Sequence, residues 1–196
     1  IYALEPHPSN VHLLKTNIQL NKISERIEVH QMGGSNKNGV EALCISAESN
    51  LHSFLKDKNS SDETVDVPMV TIQEFRKGRK KIDFIRMDIE GYEVEVFEGL
   101  LPALDDDDFR PSILFETHRS KYTEEHTIKQ SLKLMFEKGY KVKIIASNEG
   151  PDAKFSEHGY GADILFPTDG MVRGLYYNIS NEDAIKFICD IGGVRA

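Results

Sequence analysis

Acidic and histidine side chains stand directly after several short apolar runs of this sequence. They are Glu5, Asp88, Glu90, Glu116 and His118. Ionised carboxylates accept hydrogen bonds without donating, so they suit ribose hydroxyls, protons and metal ions. Histidine has an unperturbed pKa of about 6.5, which suits a general base near neutral pH. These five residues are therefore the candidates for binding or catalysis.

Each candidate follows a predicted strand, and open α/β sheets bind their ligands beyond the carboxyl ends of parallel strands. Glu5 can accept hydrogen bonds from both hydroxyls of a ribose. Asp88 ends a buried strand, where a charge is costly. Glu90 and Glu93 also have a structural explanation, because the N-terminal end of a helix favours acidic side chains. The sequence therefore favours Asp88 most strongly as a functional residue.

The elements that must position these residues alternate between strand and helix. Strands are predicted at 1–4, 27–29, 82–87 and 112–115, and helices at 11–20, 92–104 and 128–136. Pro6 and Pro8 end the first strand. Thr71 and Glu74 form a capping box for a short additional helix. This β-α-β order predicts a mostly parallel sheet.

Two segments depart from that alternation. Residues 33–67 are polar, and they predict an insertion or irregular hairpin with a strand at 40–45 and a solvated tail at 57–66. The β-rich runs at 142–146 and 162–166 are joined by a polar loop and predict an antiparallel pair. A parallel sheet that closes with a hairpin differs from a dinucleotide-binding sheet, whose strands are usually all parallel.

Composition limits the classes of function. The 196 residues, 39% hydrophobic and 29% charged, predict one globular domain over 1–196. A formal charge of −8 argues against nucleic-acid binding. No apolar run approaches the ~20 residues of a membrane span, so a cytoplasmic location is the default expectation. Cys44 and Cys189 lack the spacing of a disulfide framework or a zinc site, and we expect buried thiols and no metal.

Two blocks of the sequence resemble the FkbM-type methyltransferases. Residues 2–21, which begin YALEPHP, are similar to the family segment aFEPnP…LkkNi.lN. Residues 70–75, VTIQEF, and 82–93, IDFIRMDIEGYE, are similar to its segment vtLDef…iDflKiDvEGaE. With both blocks in order, the resemblance covers 1–104, and it extends more weakly to about residue 167.

The resemblance implies a class I methyltransferase sheet, which is Rossmann-like, with S-adenosylmethionine as methyl donor. The implied acceptor is a hydroxyl oxygen of a small molecule or carbohydrate. By position, Glu5 would hold the cofactor ribose and Asp88 would lie beside the methyl group. Glu90, Glu116 and His118 would join Asp88 as candidate catalytic groups. The family's first strand and its glycine-rich loop should precede residue 1, so we expect the chain to lack them and to bind the cofactor poorly alone.

Three other functions are compatible with parts of this pattern. An NAD-dependent dehydrogenase would also place Glu5 on a ribose, but none of the 7 tyrosines has Lys four residues later. A glycosyltransferase would use Asp88 and Glu90 as a DxD-like motif that holds a divalent metal on a nucleotide sugar. A degenerate scaffold domain would need none of these side chains to react.

Overall fold

A computed structural model describes residues 1–46, 52–55, 60–147, 153–168, 171–191 and 194–195. The chain divides into two compact units, and each has its own strands and its own buried apolar residues. The first unit consists of Ile1–Lys81 and Glu95–Asp106. The second consists of Ile82–Val94 and Asp107–Ala196.

The first unit contains two small sheets. Its strands are β1 (Tyr2–Leu4), β2 (Glu28–His30), β3 (Gly33–Gly34), β4 (Gly39–Ser46) and β5 (Ser60–Val70). β1 and β2 pair in parallel, with Tyr2 opposite Glu28. In the second sheet β5 is central, with β3 parallel to it on one side and β4 antiparallel on the other. The parallel pairing of β1 with β2 confirms the first predicted β-α-β unit.

Helices begin where the sequence offers suitable N-terminal residues. The helices of the first half are α1 (Pro8–Leu20), α2 (Ile72–Phe75) and α3 (Glu93–Leu100). α1 has proline in its first turn, where a backbone N–H has no intrahelical partner. At α2 the hydroxyl of Thr71 accepts the N–H of Glu74 at 3.1 Å. The N–H of Thr71 donates to Asn38 rather than to Glu74, so half of the predicted capping box forms.

From Ser60 onward the tail predicted at 57–66 is part of strand β5, and Glu63, Thr64 and Asp66 are exposed as predicted, while 57–59 lies outside the described residues. β5 pairs antiparallel with β4, which confirms the hairpin. Val67 and Met69 are buried and alternate with exposed Asp66 and Pro68. This period of two buries one face of the strand, so the polar residues occupy its other face.

The second unit combines a parallel pair with an antiparallel sheet. Its strands are β6 (Phe84–Met87), β7 (Ser112–Phe115), β8 (Ile144–Ser147), β9 (Ile164–Thr168), β10 (Met171–Tyr177) and β11 (Val194–Arg195). β6 and β7 run in parallel, with Met87 opposite Phe115. The antiparallel sheet has the order β11-β8-β10-β9. Its helices are α4 (Lys129–Glu137), α5 (Ala153–Glu157) and α6 (Asn181–Ile185).

Two local predictions need correction. The runs at 142–146 and 162–166 do not pair with each other, because β8 and β9 each pair antiparallel with β10. The helix predicted at 92–104 ends at Leu100 and continues as a 3₁₀ turn over Leu101–Asp105. Pro102 explains that change, since proline lacks the N–H that an α-helix needs and crowds the preceding turn.

The fold is a mixed α/β fold with small sheets. Parallel pairing joins β1 with β2 and β6 with β7, and no described strand hydrogen-bonds to both pairs. A single continuous parallel sheet, as the resemblance implies, is therefore not shown. Cys44 and Cys189 are buried free thiols, as predicted. Among the described helices, none has the length and apolar character that crossing a bilayer requires.

Candidate active site

The parallel pair β6–β7 sets the position of the acidic residues in the second unit. Met87 is the last residue of β6, and Asp88 follows it directly. The N–H of Glu116, which follows β7, donates to the carbonyl of Met87 at 3.1 Å. Asp88 and Glu116 therefore stand at the same end of this strand pair, as the sequence predicts.

The segment after β6 turns sharply into α3. Glu90 has φ of 55° and Gly91 has φ of 97°, so both lie in the left-handed region. Glycine adopts this region freely, whereas glutamate does so at a cost of roughly 1–2 kcal/mol. The turn brings Oε1 of Glu90 to 3.6 Å from Nε2 of His118.

His118 lies among three carboxylates, and we call these four residues the acid–histidine cluster. Nδ1 of His118 is 2.7 Å from Oε1 of Glu93. On the other side of the ring, Nε2 is 3.6 Å from Oδ1 of Asp88 and 3.6 Å from Oε1 of Glu90. The structure thus brings His118, which follows β7, to Asp88 and Glu90, which follow β6. The grouping of Asp88, Glu90 and His118 does not include Glu116.

Glu93 is the functional candidate that sequence reasoning missed. Its side chain has 0% exposure. The hydroxyl of Tyr122 donates to Oε2 at 2.8 Å, and the N–H of Gly91 lies 3.2 Å from Oε1. Three donors around a carboxylate fit the ionised form, so the proton in its contact with His118 belongs on Nδ1. The sequence showed Glu93 at the start of a helix, and that position alone was enough to explain an acidic residue.

The charges of the acid–histidine cluster shift the pKa values of its members. Burial opposes protonation of His118, but its hydrogen bond with Glu93 and the surrounding negative charges outweigh burial and raise the pKa of His118. Burial raises the pKa of Glu90, and the nearby His118 offsets part of that effect. Burial and the charge of Glu93 also raise the pKa of Tyr122, so its hydroxyl remains a donor.

Asp88 has a separate contact on each carboxylate oxygen. Oδ2 lies 2.8 Å from the guanidinium of Arg86, while Oδ1 faces His118. The side chain of Arg86 is 61% exposed. A salt bridge this exposed contributes little to stability. It orients the carboxylate of Asp88 without neutralising the cluster.

Glu5 follows β1 in the first unit. Its N–H donates to the carbonyl of His30 at 3.1 Å, which continues the pairing of β1 with β2. Oε1 accepts the N–H of His7 at 2.8 Å, so the carboxylate is held across the turn that leads into α1. The role of Glu5 in holding a ribose stays a prediction.

The sequence model described as "Methyltransferase FkbM domain" matches residues 1–142 of this chain. The chain belongs to the FkbM methyltransferase domain family. The matched range contains Glu5 and the whole acid–histidine cluster.

Comparison with solved structures finds similarity to the crystal structure of methyltransferase FkbM from Methylobacillus flagellatus KT. The two share 16% sequence identity with a TM-score of 0.42. The match covers 90% of this chain and 36% of the other, so the chain spans about a third of that relative's length. Among curated proteins, none matches this chain.

Proposed function

We propose that this FkbM-family protein transfers the methyl group of S-adenosylmethionine to a hydroxyl oxygen of a small molecule or sugar. Its family supports methyl transfer. The observation that carries the proposal is the convergence of Asp88, Glu90 and His118 directly after two parallel strands. This end of a parallel strand pair is where α/β enzymes bind their ligands.

Methyl transfer from a sulfonium is an in-line displacement. The acceptor oxygen attacks the methyl carbon, the carbon–sulfur electron pair goes to sulfur, and the hydroxyl proton must leave. The protein has to hold the oxygen ~3 Å from the methyl carbon and stabilise the departing proton. In our proposal Asp88 lies beside the methyl group, and a base of the acid–histidine cluster accepts the proton. Glu116 is a further candidate base.

Glu5 is our candidate for the cofactor ribose. A carboxylate can accept hydrogen bonds from two vicinal hydroxyls, since each oxygen has two acceptor sites. The hydrogen bond from the N–H of His7 orients the Glu5 carboxylate and leaves acceptor sites on both oxygens. The proposed ribose contact is compatible with that geometry.

Calorimetry of S-adenosylmethionine binding to the full-length protein tests the donor. We expect Glu5→Gln to weaken binding at least about tenfold, because a hydrogen bond to a charged group contributes about 1.5–3 kcal/mol. Glu28→Gln, which removes an exposed carboxylate from β2, should leave binding unchanged. Absence of binding by the wild type would overturn the proposal.

Methyl transfer from radiolabelled S-adenosylmethionine to a panel of hydroxyl compounds tests the reaction. We expect labelled ethers among the products, and we expect Asp88→Asn to lower kcat by about 10² or more, the usual scale of a lost general base. Products methylated solely on nitrogen or carbon would contradict the oxygen acceptor while leaving the methyl donor established.

A further inference from the structure

Asp88, Glu90 and a neutral His118 point lone pairs toward one another. Because Glu93 accepts the proton on Nδ1, a neutral His118 presents an unprotonated Nε2. Two carboxylate oxygens face that nitrogen at 3.6 Å each, which is beyond hydrogen-bond length. A positive charge among these three groups, either a proton on Nε2 or a bound cation, offsets the repulsion of the converging acceptors.

The spacing of these three atoms fits a metal ion. One potential ligand atom from each of Asp88, Glu90 and His118 lies within 4.8 Å of the other two. Three atoms that lie within 4.8 Å of one another all lie within about 2.8 Å of a common point. Zinc binds histidine nitrogen and carboxylate oxygen at about 2.0–2.2 Å, so side-chain shifts of less than about 1 Å complete the site.

Surrounding contacts hold the ligand side chains in place. Glu93 fixes the tautomer and the ring orientation of His118, and Tyr122 and the N–H of Gly91 hold Glu93 in turn. Ligating histidines in metalloproteins characteristically donate their second N–H to such a carboxylate. This outer contact is independent of the two carboxylates that face Nε2.

We infer that Asp88, Glu90 and His118 bind one divalent first-row transition metal ion through Oδ1, Oε1 and Nε2. An imidazole ligand favours such ions over magnesium or calcium, which prefer oxygen alone. Three protein ligands leave coordination positions open for water or a substrate oxygen. These three side chains could bind the ion whether or not S-adenosylmethionine is the methyl donor.

A metal at this position also has a consequence for the proposed methyl transfer, and this consequence rests on that proposal. An acceptor hydroxyl bound at an open position would lose its proton more readily, because a divalent cation stabilises the resulting negative oxygen. Chelation would then lower the rate of methyl transfer, and restored metal would recover it. If chelation did not change the rate of methyl transfer, the role of the metal in the reaction would be refuted, but the proposed binding site would stand.

Calorimetric titration of the chelator-treated, dialysed full-length protein with Mn²⁺ tests the site. We expect one ion per chain, and we expect Glu90→Gln and His118→Gln each to weaken binding at least tenfold. Glu28→Gln is the matched control, because Glu28 also lies beside a histidine, with 2.9 Å between its Oε1 and Nε2 of His30. It should bind Mn²⁺ as the wild type does.

A measurement on the wild-type protein covers the case in which a variant fails to fold. Pulsed electron paramagnetic resonance of the Mn²⁺ complex should show coupling to an imidazole ¹⁴N nucleus. Absence of Mn²⁺ binding up to millimolar concentration, absence of nitrogen coupling, or full affinity in a folded His118→Gln variant would overturn the inference. Equal affinity for Ca²⁺ that is independent of His118 would indicate an oxygen-only surface site and would also overturn it.

Discussion

Nδ1 of His118 lies 2.7 Å from Oε1 of Glu93, although 25 residues separate the two in the sequence. Glu93 is fully buried, and it also meets the hydroxyl of Tyr122 and the N–H of Gly91. The carboxylate is therefore satisfied as an anion, which offsets the cost of burying its charge. The pair ties the start of α3 to the segment after β7 and fixes the imidazole ring.

Glu93→Gln tests this buried charge, because it keeps the volume and replaces one acceptor oxygen with an amide donor. We expect the free energy of unfolding to fall by about 2–3 kcal/mol, since a buried donor loses its partner. Urea denaturation measures the change. Glu98→Gln, on an exposed position of the same helix, keeps an oxygen that can accept the side-chain amide of Asn36 and should change it by less than about 0.5 kcal/mol. Equal stability of the Glu93 variant and the wild type would contradict an ionised carboxylate there.

Local patterns in the sequence predicted much of the fold. The apolar runs of β1, β2, β6 and β7 are short and bounded by polar residues. Their order with α1 and α3 predicted parallel pairing. The structure confirms parallel pairing of β1 with β2 and of β6 with β7. The cap at Thr71 was predictable because it depends on residues three apart.

Other features depend on contacts that local patterns do not encode. β10 was missed because Arg173 and Gly174 interrupt its apolar residues, yet Arg173 is buried within the antiparallel sheet. The apolar alternation of β5 at Val67 and Met69 was present but was outweighed by its polar composition. The contact of Glu93 with His118 required knowledge of where β7 ends relative to α3. Sequence therefore predicted Asp88, Glu90 and His118 individually, whereas their convergence needed the structure.

The pH dependence of stability should include a contribution from His52. Its Nδ1 accepts the N–H of Ser46 at 3.0 Å, and its ring lies 4.1 Å from that of His7, centroid to centroid. Burial and the charge of His7 lower the pKa of His52 below its ordinary value. A lowered pKa means that the folded state resists a proton that the unfolded chain accepts. Stability is therefore present above pH ~6.5 and is lost as the pH falls through the folded-state pKa.

His52→Asn should flatten that dependence. The amide oxygen of asparagine can accept the N–H of Ser46 and does not titrate. We expect the free energy of unfolding of the wild type to fall more steeply between pH 7 and pH 5 than that of the variant, by roughly a few tenths of a kcal/mol, because solvent screens a ring that is only partly buried. Urea denaturation at several pH values measures it. Parallel pH profiles for the two proteins would refute a contribution from His52.

Phe155 is central to the core of the second unit. Its ring stacks on Tyr176 at 3.9 Å and on Phe187 at 4.0 Å, and its side chain is 1% exposed. We expect Phe155→Ala to lower the free energy of unfolding by about 3–5 kcal/mol, since it removes both stacking contacts and leaves a cavity. Thermal denaturation followed by circular dichroism measures the loss. Glu157→Ala, an exposed position on the same helix, should have little effect, and equal losses from both variants would contradict the stacking.

Gly99 allows α3 to lie against the backbone of the segment after β3. A Cβ at this position would overlap the carbonyl oxygen of Ser35 and would lie 2.9 Å from its carbonyl carbon. Ser35 is fully buried, and its N–H donates to the carbonyl of Val70 at 2.9 Å, so this backbone cannot move away without losing that bond. Alanine normally favours a helix over glycine by about 1 kcal/mol. Here the overlap with backbone atoms is the larger effect, because overpacking of this kind costs about 1–3 kcal/mol or more.

We therefore expect Gly99→Ala to lower the free energy of unfolding by at least about 1–2 kcal/mol. Gly161→Ala is the matched control, since among the described residues no heavy atom beyond its chain neighbours lies within 4 Å of its Cβ position, and its φ is not left-handed. Its effect should stay within about 0.5 kcal/mol. Urea denaturation of the two variants separates helix propensity from steric overlap. A Gly99→Ala variant more stable than the wild type would show that propensity dominates and that α3 does not approach Ser35 this closely.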